Sequence, residues 1–221
     1  METRTLRISG KIPKKEAQIL DDYKKVIDII GKSIAYTDLF ENNKSNTNFI
    51  VFYIIQASYD FIRSIFDLWV DRGYHSSYIL ARALVEYYIN LVFILKEDSE
   101  KRATEFINAY TKETDPFKKT KFKHISNRAK NAGLTENYKK DYASLCSFAH
   151  VNLKSSLIAR QSEKFKKDKE VFLRNMLLTF TEMLGVISDK MNILYPQDMQ
   201  ELIKEIQSKY NKTYNNALQG T

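Results

Sequence analysis

Between Asn48 and Lys96 the chain carries two long apolar segments, broken only around Gly73, whose polar residues fall at spacings of three and four. That periodicity belongs to helices, and helices apolar around most of their circumference have to sit at the centre of a fold. The expected central helices run from about Asn48 to Arg72 and from about His75 to Lys96, with Gly73 ending the first. Around them the same reasoning predicts a helix over Pro13–Ala35, whose stripe is Leu20, Tyr23, Ile27, Ile30 and Ile34. A short one follows over Ser99–Tyr110, then a weak helix or a loop over 117–130 stopped by Gly133. Further helices are expected over Thr135–His150, Glu163–Leu194 and Pro196–Tyr210. Only six glycines and three prolines leave little turn chemistry for a β architecture. The expectation is one all-α, single-domain helical bundle of about six to eight helices over residues 1–221. Its core is about 13–210, and the tail 211–221 should fray.

Compartment follows from other features. The single cysteine, Cys146, cannot close an internal disulfide, and the first residues, METRTLRISGKIPKKE, lack the apolar core of a signal peptide. Asp60 and Glu86 interrupt the densest apolar runs, so no membrane span is expected and the chain reads as cytoplasmic.

The net charge of +8 is not spread evenly. Residues 1–113 hold 16 basic and 16 acidic side chains, whereas residues 118–169 hold 14 basic and 4 acidic. Such a concentrated field suits a phosphate-bearing partner, and Lys118, Lys119, Lys121, Lys123, Arg128 and Lys130 are the expected nucleic-acid contacts. A solvated lysine-rich surface is the plainer alternative.

Chemistry concentrates on the second central helix. Arg82, Glu86 and Asn90 form one polar seam at i, i+4 and i+8, and Gln56, Asp60, Arg63 or Ser64, Asp67 and Asp71 form another on its neighbour. Charges are costly to bury singly, so the two seams are expected to face one another or to line a shared cleft, with Asp60 and Asn90 supporting Arg82 and Glu86. The competing reading is a buried ion network that only fixes helix register. His150 is a further candidate at the end of ASLCSFAH; a cap is its simpler role. Cys146, among Leu145, Phe148 and Ala149, reads as packing. Neither Gly-rich phosphate loop nor HExxH, CxxC or Asp-x-Asp pattern occurs, so no metal or cofactor is expected.

The segments SYILARALVEYYINLVFIL, EKRATEFINAY and SLCSFAHVN, over about 50–160, resemble an uncharacterised bacterial all-helical family. That family has an Ala-Arg-x-Leu-x-Glu helix, an Ala-x-x-Phe helix and a later Ser-x-x-x-His segment. It is similar in turn to the HEPN superfamily, many of whose members are metal-independent, dimeric RNases of toxin–antitoxin and phage-defence systems. The resemblance implies a catalytic set of Arg82, Glu86 and His150, with His150 as acid–base and Arg82 stabilising a pentacoordinate phosphate. The HEPN nuclease motif places Arg four to six residues before His. Here none of His75, His124 and His150 has an Arg at that distance, so in a nuclease Arg82 and His150 come from separate helices; otherwise the catalytic function is lost or was never present. The expected partners are RNA or another phosphate-bearing ligand, a second copy of the chain and a cognate regulatory protein. The alternative function is a non-catalytic binding module for nucleic acid, nucleotide or protein.

Overall fold

A computed structural model describes residues 14–36, 45–71, 73–112, 114, 117–143, 145–146 and 163–218. These residues are helical, with no strand among them: α1 (Lys14–Tyr36), α2 (Asn46–Val70), α3 (Tyr74–Lys96), α4 (Ser99–Thr111), α5 (Ile125–Ala132), the short α6 (Thr135–Asn137) running into a π-helical turn (Tyr138–Tyr142), α7 (Glu163–Met191) and α8 (Gln197–Leu218).

The all-α expectation holds, and α2 and α3 are central as their apolar circumference requires. They form the most extensive helix pair, and α7 packs on both. Val51, Ile54, Ile62 and Ile65 of α2, Ala81, Leu84, Ile89 and Leu91 of α3, and Leu173, Leu177, Phe180 and Ile187 of α7 are all fully buried. Trp69 stacks on Phe172 at 5.1 Å, and its indole N–H donates to the Glu16 carboxylate at 2.7 Å. That bond satisfies the one polar atom the ring carries into the core.

Several devices fix the outer helices. Ser45 caps α2 by accepting from the Asn48 amide. Glu100, in the first turn of α4, accepts from the Asn46 and Thr47 amides and the Thr47 hydroxyl, so one carboxylate satisfies donors at the start of another helix. Asp22 of α1 is buried and holds Lys209 Nζ at 2.5 Å and the Tyr210 hydroxyl, pinning α8 to α1. Gly133, at φ 81°, ends α5 in the left-handed conformation that glycine adopts without strain. At Gly31 the Tyr59 hydroxyl, which donates to the Ile27 carbonyl, occupies the space of a Cβ, so a side chain there would displace the Tyr59 ring.

Two expectations change. Residues 135–142 form a short α-turn and then a π-helical turn, where the periodicity predicts a regular α-helix. Asp60 and Glu86 do not break the apolar runs below spanning length. By length and composition the helices over Asn46–Val70, Ser76–Lys96 and Lys169–Met191 are each long and apolar enough to cross a membrane. Within this fold they spend much of that apolar surface on one another, and α2 turns Gln56, Asp60, Arg63 and Asp67 outward.

Candidate functional site

The second seam, on α3, is where polar chemistry gathers. Arg82 and Glu86 lie one turn apart on the same face, yet no direct ion pair joins them. The Tyr142 hydroxyl stands between them. It accepts from Arg82 Nη2 at 3.2 Å and donates to Glu86 Oε2 at 3.2 Å. On its other side Glu86 Oε1 faces Arg128 Nη2 at 3.9 Å. The result is a chain, Arg82–Tyr142–Glu86–Arg128, drawn from α3, the π-helical turn and α5.

Local structure explains why Tyr142 is there. A π-helical turn takes up one extra residue, which rotates the downstream side chains by roughly 100° relative to an uninterrupted α-helix. Tyr138 and Tyr142 stack at 5.4 Å, and Tyr142 is buried against α3. Burial and the nearby Glu86 raise its phenol pKa and Arg82 opposes this, so at neutral pH Tyr142 keeps its proton and can donate. The Tyr142 hydrogen bond holds the Arg82 guanidinium above its ordinary value, against the opposing effect of burial. The guanidinium carbon lies 5.4 Å from the Tyr142 ring centre. Arg82 Nε is buried with no hydrogen-bond partner among the described residues.

Arg128 is one of the cations the sequence assigns to a nucleic-acid surface, and this is corrected: it is 4% exposed. Its Nη1 donates to the Phe122 and Lys123 carbonyls at 3.1 and 3.3 Å, and its guanidinium approaches the Phe117 ring. Arg128 therefore ties the lysine-bearing turn 117–124 to Glu86. The other five, Lys118, Lys119, Lys121, Lys123 and Lys130, are exposed as expected. Phe117 anchors this turn at φ 61°, with its ring buried against Phe93 and Phe106. A left-handed conformation costs a bulky residue roughly 1–2 kcal/mol, which the aromatic packing offsets.

No hydrogen bond or ion pair between described residues joins the two seams. Asp60 lies on the exposed side of α2 with Gln56, Arg63 and Asp67. The sequence argument treats every polar stripe on an apolar helix as buried; α2 instead uses its stripe as a solvated face. Asn90, one turn beyond Glu86, is buried, and its side-chain oxygen has no partner among the described residues. His150 lies outside the described residues. His124 precedes α5 at an exposed position.

Tyr142 escapes the sequence reasoning, which also names Arg128 only as an outward-facing cation. Tyr138, Tyr142 and Cys146 do recur at four-residue spacing, and Cys146 borders Arg82 and Tyr142. That recurrence is the one signal that points at Tyr142. A second polar group lies nearby. Asn175 of α7 donates to Asp141 at 3.4 Å, and Glu182 is hydrogen-bonded to Tyr88. Burial raises the pKa of both carboxyls, and the Asp141 charge raises Glu182 further. Among the described residues no group of three or more His, Cys, Asp and Glu side chains is placed to hold a metal ion.

Comparison with known proteins places only part of this arrangement in a recorded context. No curated protein and no solved structure matches the chain. Residues 48–114 match a family of unknown function, DUF5677, so the matched stretch takes in α3 with Arg82, Glu86 and Asn90 and stops before Arg128, Tyr142 and His150.

Proposed function

We propose that this chain acts on RNA as a HEPN-like, metal-independent endoribonuclease of the toxin or antiphage-effector kind, working in the aqueous interior of the cell. The observation that carries the reading is Arg82. It is a part-buried guanidinium, oriented by a neutral tyrosine, whose Nε–H has no partner among the described residues. Arg128 links the turn that bears four of the five exposed lysines to the same site.

In this reading Lys118, Lys119, Lys121, Lys123 and Lys130 draw the phosphate backbone in by charge. Arg82 stabilises the negative charge that grows on the phosphoryl oxygens. Tyr142 and Glu86 hold Arg82 in place. His150 takes the proton from the ribose 2′-hydroxyl as that oxygen attacks phosphorus, and delivers a proton to the departing 5′-oxygen. The products are a 2′,3′-cyclic phosphate and a 5′-hydroxyl. An aqueous location accords with the charged outer face of α2, since lipid-facing charges are costly.

The test incubates the purified chain with total RNA in EDTA, beside Arg82→Ala and His150→Ala controls of verified fold. Cleavage by the wild type alone supports the reading, and cleavage retained by Arg82→Ala overturns the assignment. A second reading, a non-catalytic RNA-binding module, is favoured by the engagement of both Glu86 oxygens, one by Tyr142 and one by Arg128. It predicts RNA that is retarded on the same gel and left uncut.

A further inference from the structure

Between the C-terminal half of α4 and the turn that follows lies an open cleft of about 570 Å³, separate from Arg82 and Tyr142. Ala109 and Phe117 give it an apolar floor. Phe117 is buried from behind by Phe93 and Phe106, so the floor is firmly set. Lys112, Lys118 and Lys119 form the rim, all exposed, and none makes an ion pair with a described residue. Glu105 and Asn108, one turn earlier on α4, supply a carboxylate and an amide along one wall.

We propose that this cleft holds a single nucleotide unit of RNA, with guanine preferred, a refinement that rests on the RNA reading above. The parts divide by chemistry. A flat, weakly polar base suits the Ala109–Phe117 floor. Its phosphate suits the Lys112, Lys118 and Lys119 ammonium groups on the rim. Guanine is the base that offers two adjacent donors, N1–H and the N2 amine, to one carboxylate, here Glu105; the Asn108 amide can then donate to its O6. The cleft is of nucleotide size and shares Lys118 and Lys119 with the basic turn, so an RNA strand drawn to that turn passes the cleft with an unpaired base.

The test is calorimetric titration of the full chain with guanosine monophosphate, cytidine monophosphate and inorganic phosphate. The expected result is saturable 1:1 binding of the guanine nucleotide, about tenfold tighter than the other two. Ala109→Phe, which fills the cleft, removes that binding. Should Ala109→Phe fail to fold, the exposed pair Lys112→Glu and Lys118→Glu serves the same purpose. Inorganic phosphate binding as tightly as the guanine nucleotide, or binding unaltered in the folded variants, overturns the cleft. Arg82→Ala leaves nucleotide binding unchanged. RNA that is cut while the mononucleotide fails to bind rejects the cleft alone. Mononucleotide binding of this pattern without RNA binding or cleavage upholds the cleft and rejects the RNA reading.

Discussion

Tyr142 holds the site together, and among the described residues its hydroxyl links Arg82 to Glu86. Tyr142→Phe removes two hydrogen bonds to charged partners while keeping the ring in place. The expected cost is about 1–3 kcal/mol, read as a lowered midpoint in denaturant titration with an unchanged slope. Coupled with Glu86→Gln in a double-mutant cycle, the two changes should be strongly non-additive, and additivity would mean that the bridge carries no energy. Arg82 and Glu86 are legible in the sequence because their four-residue spacing on an apolar helix is a local pattern. Tyr142 is not, since its position depends on a π-helical turn, and the periodicity of NYKKDYASLC fits an ordinary α-helix equally well. Arg128 hides for a related reason. Within a run of lysines, composition cannot show which cation turns inward to bond carbonyls.

At the scale of elements, the helix boundaries read from the sequence agree with the structure to within a few residues wherever a cap or a breaker marks them. Gly133 ends α5 with a backbone that a Cβ disfavours, so Gly133→Ala should cost roughly 1 kcal/mol and loosen the α5–α6 junction. Asp22 joins elements far apart in sequence. Asp22→Ala strands the Tyr210 hydroxyl in a buried position and should cost about 1–3 kcal/mol, with hydrogen exchange rising first in α8. Glu100 gives a signed pH dependence. Its amide partners depress its pKa, so its stabilisation is present above the ordinary carboxyl range and is lost as pH falls through the folded value. Glu100→Gln should flatten that acid limb and leave the neutral and basic range unaltered in shape. No such cross-helix cap is visible in a sequence, because Glu100 reads as an ordinary first-turn acid of its own helix.

For the whole molecule, the centrality of α2 and α3 follows from hydrophobic circumference alone, which is why the all-α bundle is legible. Facing relations are not, and the outward turn of the Asp60 stripe is the example. The part-buried carboxyls of Asp141 and Glu182 act on global stability with the opposite sign to Glu100. Their folded pKa values are raised, so the fold binds protons that the unfolded chain releases, and stability declines as pH rises from the ordinary carboxyl range through the folded values. Glu182→Gln should make that decline shallower in thermal melts taken across pH. The basic surface has its own signature. If the five exposed lysines each neutralise one phosphate of single-stranded RNA, log affinity falls against log salt with a slope of about −3.5. Reversing Lys118 and Lys119 to Glu should reduce that slope and weaken binding across all sequences.

The central claim is that the Arg82 site promotes attack of a ribose 2′-hydroxyl on the adjoining phosphate. The direct measurement offers the chain, in EDTA, a labelled RNA oligonucleotide and its all-2′-deoxy counterpart, and identifies the product ends by mass. Cleavage of the RNA alone, leaving 2′,3′-cyclic phosphate ends and vanishing in Arg82→Ala, is the predicted result. An uncut RNA, or a deoxy strand cut equally well, would contradict it.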